Sequence, residues 1–208
     1  MRLFEGLITA LPCFTLAVTL LWTWIDPMSI DNGHWVRFGV GIMVLEFVLV
    51  HSGAFIASMS MDSESSTMNK LKVFTGFFLF YGLFAGAMAM AFQSWMLFII
   101  YSTVMASRWI GVLTHPAEAR EAAVKRSGLS VVYYLLATFL SIFIPWPNLG
   151  ITGSVLREVY PDRGSGHWEV HPESALAAGI IYFTLLGITE LYLAWQSQVK
   201  QSRASSTT

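Results

Sequence analysis

The chain contains 208 residues, of which 55% are hydrophobic and only 12% are charged. Because soluble domains carry roughly 25% charged residues, this composition excludes an ordinary soluble globular protein and indicates an integral membrane protein surrounded by the lipid bilayer. The formal net charge of −1 provides no basic surface that would replace phosphate counterions, so a nucleic-acid partner is also excluded.

Six apolar segments each approach the roughly 20 residues that an α-helix needs to cross about 30 Å of hydrocarbon. The predicted spans are, in chain order, about 4–25, 35–59, 72–92, 95–114, 129–146 and 175–195. The first is predicted to be a retained helix, because its apolar stretch is longer than that of a cleaved signal sequence. Only Gln93 and Ser94 separate the third span from the fourth, which predicts a tight antiparallel hairpin. The predicted fold is therefore all-α, with one six-transmembrane-helix bundle over residues 1–208.

The basic residues predict the orientation of this bundle, because Lys and Arg accumulate on the cytoplasmic side of a membrane. With both termini in the cytoplasm, eight of the twelve basic residues lie inside and three lie outside. The eight are Arg2, Lys70, Lys72, Arg120, Lys125, Arg126, Lys200 and Arg203. We expect a bacterial-type inner or plasma membrane protein with cytoplasmic N and C termini.

Three ionisable residues lie well inside predicted spans: Glu46 in the second, Arg108 in the fourth and Glu190 in the sixth. A charge in hydrocarbon costs at least about 2.5–3.5 kcal/mol, so it persists only where a partner, a cavity or a change of protonation offsets that cost. All three helices run from outside to inside in the predicted topology. Counted from the outer end, the three residues lie within roughly 6 Å of one another in height, so they are predicted to share one charged layer.

Helical spacing predicts that Glu46 faces protein and not lipid. Gly39, Glu46 and Gly53 repeat every seven residues and therefore share one helix face. Small residues on a membrane helix mark the side that another backbone approaches closely. One interpretation of the charged layer is a pathway on which a glutamate carries a proton or binds a cation. The alternatives are that the charges only fix helix register, or that the three helices do not meet.

His51 is the histidine deepest in a predicted span, five residues after Glu46. Five residues correspond to a rotation of about 140°, so the two side chains do not stack on the helix. His51 is a candidate second proton carrier, because an imidazole titrates near neutral pH. It is also a candidate haem ligand, although ordinary helix packing accounts for it more simply.

The predicted outer loop, residues 147–174, is the longest stretch that is not apolar. Within it, His167, Glu169 and His171 would lie on one side of an extended segment. Imidazole and carboxylate groups in that arrangement suit Zn²⁺ or a similar ion, so these three residues form a candidate metal site. The alternative is an ordered outer cap in which Trp168 packs at the membrane interface.

Two other segments outside the spans are predicted from composition. Residues 115–128 contain strong helix formers and three basic residues, which predicts a short cytoplasmic surface helix against anionic headgroups. The tail 202–208 is small and polar and is predicted to be disordered.

The sequence contains none of the motifs of soluble-type catalysis, such as a nucleophile elbow, a P-loop or an HExxH zinc helix. A non-enzymatic role is therefore favoured. The leading hypothesis is a proton- or cation-coupled transporter that uses the Glu46, Arg108 and Glu190 layer. The alternatives are a non-catalytic helical subunit of a larger membrane complex or homo-oligomer, and an intramembrane metal or haem redox protein.

Overall fold

A computed structural model describes the backbone of residues 2–60, 67–114 and 117–205. Its side chains are described over these ranges except for residues 2–5, 57–60, 67, 70, 109, 111–114, 117–123, 197 and 200–205. Within the described backbone, the regular structure consists of helices and includes no strand. The α-helices are α1 Arg2–Ile25, α2 His34–Ser60, α3 Thr67–Ala91, α4 Trp95–Thr114, α5 Ala117–Phe143, α6 Gly153–Val159, α7 His167–Val170 and α8 Pro172–Ser205.

Five helical segments in the described part of the chain are long and apolar enough to cross a membrane. They are Gly6–Ile25, Asp31–Ile56, Leu71–Ala91, Val124–Phe143 and Pro172–Gln196. This all-helical fold is compatible with an integral membrane protein. The fourth predicted span coincides with the 20 residues of α4, but the side chains of residue 109 and residues 111–114 lie outside the described set. A sixth crossing, and hence the six-helix bundle, stays a prediction.

Breakers in the sequence explain where several helices begin and end. Positive φ angles at Asp31, Asn32 and Gly33 turn the chain immediately before α2, a conformation that glycine adopts at no steric cost. Helix α5 ends at Phe143 and not near 146, because Pro145 cannot continue a helix and restrains the residue before it. Pro172 occupies the first position of α8, where its missing N–H costs nothing.

Two predicted boundaries differ from the structure because helix formers continue across them. The predicted surface helix is not separate, since the chain is helical without interruption from Ala117 through Gly128 to Phe143; residues 115 and 116 lie outside the described range. The tail predicted to be disordered from residue 202 is helical as far as Ser205. No proline or glycine follows Gln196 to end α8, and residues 206–208 of the predicted tail are not described.

The chain divides into two compact units. Unit 1 comprises Met1–Gly39 and Ala137–Thr208, and unit 2 comprises Val40–Leu136. In unit 1, α1 packs along α8 through small residues. The Cα of Gly6 faces the Ala194 side chain, and a Cβ on Gly187 would lie 2.8 Å from Phe14 Cζ. Such contacts require glycine because the neighbouring atoms already occupy the space that a side chain would need.

Unit 1 also contains the segment 144–171, which we call the cap. Trp24 Nε1 donates to the Pro147 carbonyl at 2.9 Å, and Trp168 Nε1 donates to Ser141 Oγ at 3.0 Å. The cap is thus an ordered structure with two short helices, tied to α1 and α5 by indole N–H groups that would otherwise be buried without a partner.

Unit 2 contains α3, α4 and most of α2 and α5. Two tyrosine hydroxyls connect these helices. Tyr101 on α4 donates to the Phe78 carbonyl of α3 at 2.6 Å, and Tyr134 on α5 donates to the Met43 carbonyl of α2 at 3.0 Å. Both hydroxyls use helix carbonyls as acceptors, which satisfies a polar group in a region with few polar side chains.

Candidate functional site

The described residues place Arg108 of α4 against the middle of α2. Its Nη1 donates to the Leu49 carbonyl at 2.6 Å and lies 3.1 Å from Ser52 Oγ, which accepts a second hydrogen bond. Ser52 is fully buried, and its own hydroxyl donates to the same Leu49 carbonyl at 3.0 Å. Hydrogen bonds from a charged donor are roughly twice as strong as neutral ones, so α2 holds this guanidinium firmly.

Gly53 provides the space in which the guanidinium lies. A Cβ built on Gly53 would be 3.0 Å from each of Arg108 Cζ, Nη1 and Nη2. Equal distances to three atoms of the planar group show that its face lies over the Gly53 backbone. The glycine that the sequence placed on the Glu46 face of α2 is therefore the residue that admits Arg108.

Glu46 belongs to the same unit as Arg108 and lies on the same face of α2 as Gly53. It precedes Leu49, the acceptor of Arg108, by three residues or about one helical turn, and it is half-buried. The structure thus brings Arg108 to the glutamate-bearing face of α2. A carboxylate can bind a proton or a cation, whereas an arginine stays charged.

Glu190 lies on α8 in unit 1, whereas Glu46 and Arg108 lie in unit 2. The charged layer of three residues therefore stays a prediction. Each of the three residues takes part in at least one hydrogen bond, ion pair, ring contact or electrostatic interaction. The main chain of Glu190 lies at the α1–α8 contact, because its carbonyl oxygen is 3.6 Å from the Cβ position of Gly6.

His51 makes a contact within its own helix. Its Nδ1 lies 3.0 Å from the Phe47 carbonyl, and the two rings have centroids 4.1 Å apart. These contacts are those of a packing histidine and engage one of its two ring nitrogens. Its predicted roles as a proton carrier or a haem ligand remain predictions.

A second charged cluster fastens the cap to the start of α2. Arg37 is only 9% exposed, and its Nη2 donates to Asp162 Oδ1 at 2.5 Å. Its Cζ lies 4.9 Å from the centroid of the Tyr160 ring, a cation–π geometry. The hydrogen bond from Arg37 holds the pKa of Asp162 below its ordinary value of 3.8, because the guanidinium stabilises the carboxylate.

Tyr160 joins this cluster to Glu169 of α7. Burial, together with the negative charge of Glu169, raises the pKa of Tyr160 to about 12. The Tyr160 hydroxyl donates a hydrogen bond to the Glu169 side chain. Glu169 Oε2 also accepts from the Gly166 N–H at 3.1 Å and fills the space above Gly164. Glu169 is thus engaged in holding the cap together.

The segment 167–170 is a helical turn and not the extended strand on which the predicted metal site depended. Glu169, the middle residue of the predicted set, consequently points towards Tyr160 and Gly166. His171 Nδ1 instead lies 3.0 Å from Glu173 Oε1. Among the described residues, no group of three or more His, Cys, Asp or Glu side chains is arranged to hold a metal ion.

Sequence reasoning missed two parts of these clusters. Ser52 and the Leu49 carbonyl were not identified as the partners of Arg108, although Gly53 marked the correct face of α2. Arg37 and Asp162 are 125 residues apart in the chain, and neither belongs to a motif. No local signal pairs them, so only the folded cap reveals that cluster.

The fold and the Arg108 contacts define an all-helical protein compatible with a membrane, with a charged group held between helices. Comparison with protein-family models, with curated proteins and with solved structures finds no match.

Proposed function

We propose that this chain is a six-span protein of a bacterial-type inner or plasma membrane, with both termini cytoplasmic, that moves a proton or a cation. Glu46 is the carrier, Arg108 is its fixed counter-charge, and Glu190 is a second carboxylate on the path. The observation that carries the proposal is the guanidinium of Arg108, held by Leu49 and Ser52 about one turn from Glu46 on α2.

The division of roles follows from the chemistry of the two groups. An arginine does not lose its proton in a protein, and this one is bound to the α2 backbone and to a buried hydroxyl. Arg108 therefore provides a fixed positive charge at the site and does not itself carry the proton or cation. A carboxylate can alternate between a protonated and an ionised state or release a bound cation, and intramembrane carboxylates commonly mark such pathways.

The proposal is tested by reconstituting the full chain in sealed proteoliposomes and measuring ion flux. Proton entry is followed with an internal pH-sensitive dye under imposed gradients of H⁺, Na⁺ or K⁺. We expect Glu46→Gln to abolish the coupled flux while the protein stays folded, because an amide retains the shape but carries neither a proton nor a charge. Glu158→Gln is the matched control, since Glu158 is exposed on α6 and outside the spans.

Two results would contradict the proposal. The first is normal flux in a folded Glu46→Gln variant. The second is equal loss of flux in Glu46→Gln and Glu158→Gln, which would indicate a general effect of removing surface charge. Glu190→Gln separates the role of the second carboxylate, because unchanged flux in that variant would remove Glu190 from the pathway and leave Glu46 in place.

A second candidate function is a non-catalytic subunit of a membrane complex or a homo-oligomer, and one observation on α3 favours it. No atom of the described residues lies within 4 Å of the Cβ positions of Gly76 and Gly86. Large exposed side chains lie between and beyond them, including Leu83 at 76% and Met90 at 71% exposure. Small residues that admit no neighbour within the chain are typical of a face that packs on another helix.

This second function predicts a different result. A Gly86→Leu variant would lose association with a partner or second copy, as measured by light scattering of the protein in detergent. It would keep its helical content, because no described residue occupies the space next to the Gly86 Cβ position. Under the transport proposal the same variant keeps its ion flux.

A further inference from the structure

The histidines of the cap lie in a geometry that the extended-strand prediction did not anticipate. His167 begins α7 and His171 follows its end, four residues later. Their ring centroids are 5.2 Å apart, and both residues are exposed. Residues four apart on a helical turn lie on the same side, so the two imidazoles face solvent as neighbours.

Glu173 orients one of these imidazoles. It lies in the first turn of α8, where the helix dipole favours a negative charge. Its side chain is 8% exposed, and its Oε1 lies 3.0 Å from His171 Nδ1. A carboxylate only accepts hydrogen bonds, so Nδ1 carries the proton and donates it to Glu173. When the imidazole binds a metal ion in its neutral form, Nε2 is then the ring nitrogen that offers a lone pair.

We propose that His167 and His171 form a two-histidine site for a divalent first-row transition-metal ion such as Zn²⁺, Ni²⁺ or Cu²⁺, with Glu173 as the residue that positions His171. Imidazole nitrogen suits these ions. A carboxylate that binds the other ring nitrogen is the usual outer partner of a metal-ligating histidine. The proposal is independent of the transport function and concerns only the cap.

The site has two protein ligands and not the three predicted from the sequence. Glu169, the middle member of the predicted set, is engaged with Tyr160 and Gly166. Water or a bound small molecule completes the coordination, which makes this an open site of moderate affinity and not a closed structural one.

The test is isothermal titration calorimetry of the full chain in detergent micelles with Zn²⁺, Ni²⁺ and Cu²⁺ salts alone. The protein is purified without a polyhistidine tag, because such a tag would bind the same ions. We expect one ion per chain, with at least a tenfold loss of affinity in His167→Ala and in His171→Ala. His34→Ala is the matched control, since His34 is also exposed, and it should bind as the wild type does.

The positioning role of Glu173 requires its own measurement. Glu173→Gln keeps the size of the side chain and is expected to lower affinity by about 10- to 100-fold, as loss of an outer partner does at other metal sites. Circular dichroism checks that α8 is intact in this variant. Electron paramagnetic resonance of the Cu²⁺ complex should show two imidazole nitrogens in the wild type and one in each histidine variant.

Three outcomes would overturn the inference. They are the absence of binding for all three ions, unchanged binding in the His167→Ala and His171→Ala double variant, and an equal loss in His34→Ala. Unchanged affinity in a folded Glu173→Gln variant would contradict the positioning role.

Discussion

Helices α2 and α3 have nearly the same mean hydropathy, 1.9 and 1.8, but 67% of the α2 span is buried and only 22% of the α3 span. Their glycines differ in the same way. Gly53 of α2 lies under the Arg108 guanidinium, and a Cβ on Gly41 would be 2.8 Å from Leu97. At Gly76 and Gly86 of α3, the described part of the chain places no atom within 4 Å of the Cβ position.

The difference teaches that hydropathy indicates which segments can cross a membrane, but not which faces meet protein. Lipid and protein interiors are comparably apolar, so burial between helices depends on small residues and polar contacts and not on mean hydropathy. On α2, small residues and a charged residue occur on the same helix face, because Gly39, Glu46 and Gly53 repeat every seven residues. On α3, no charged residue lies seven positions from Gly76 or Gly86.

The largest expected effect comes from Arg108→Ala. This change removes two hydrogen bonds to α2 and leaves the Glu46 carboxylate without its proposed counter-charge. We expect a loss of about 3–5 kcal/mol in the free energy of unfolding, measured by titration with SDS. Combining it with Glu46→Gln should restore at least about 1 kcal/mol. Strict additivity of the two changes would show that the residues are not coupled.

Gly53→Ala tests the packing of Arg108 against α2, with a smaller expected effect than Arg108→Ala. The new methyl group would meet three guanidinium atoms at 3.0 Å, so we expect a loss of about 1–3 kcal/mol from overpacking. Gly76→Ala is the matched control, because none of the described side chains or backbone atoms lies within 4 Å of its Cβ position. It should be neutral or stabilising by about 0.5–1 kcal/mol, since alanine favours a helix. Equal effects at both positions would contradict the comparison.

Gly86→Leu asks whether the open face of α3 contacts another chain. We expect its unfolding free energy to change by less than about 0.5 kcal/mol, as at other surface positions. Its molecular mass in detergent, from light scattering, reports any association. A large loss of stability in the monomeric protein would show that this face is packed within the chain.

The smallest effect concerns the pH dependence of the cap. The folded cap raises the pKa of Tyr160 from 10.0 to about 12. The contribution of the protonated hydroxyl to the free energy of unfolding is therefore fully present below pH 10.0 and is lost as the pH rises towards 12. Tyr160→Phe should reduce the tyrosinate absorbance that develops near pH 12 by the amount expected for one tyrosine, relative to the wild type. A wild-type titration identical to that of the variant would contradict the burial of Tyr160.

The opposite sign applies to Asp162, whose pKa lies below 3.8. Its contribution is present above pH 3.8 and is lost as the pH falls through the lowered pKa. Acidification should therefore increase proteolytic cleavage within residues 144–171 less in Asp162→Asn than in the wild type. If cleavage of that variant increased on acidification as much as cleavage of the wild type, Asp162 would not be a residue that attaches the cap.

Much of the fold was predictable from the sequence because hydrocarbon thickness fixes the length of a span. The prediction of 35–59 for the second span matches α2, His34–Ser60, closely. The ends of α5 and α8 were less predictable. Their helix formers continue beyond the apolar segment, so hydropathy alone does not indicate where these helices end.

The candidate site was predictable only in part. Arg108 and the glycine-marked face of α2 were evident, because a charge in an apolar run and small residues at helical spacing are local signals. The hydrogen bonds to Leu49 and Ser52, and the pairing of Arg37 with Asp162, depend on residues distant in the chain. The turn at 167–170 redirected Glu169, which a pattern of alternating residues did not anticipate.

The most direct test of the central claim compares Glu46→Gln with Gly86→Leu in one proteoliposome flux assay. The two changes lie on the two helices that the comparison separates. The account predicts that Glu46→Gln abolishes proton- or cation-coupled flux in a folded protein, whereas Gly86→Leu transports as the wild type does. Wild-type flux in a folded Glu46→Gln variant would contradict the claim that Glu46 is the carrier.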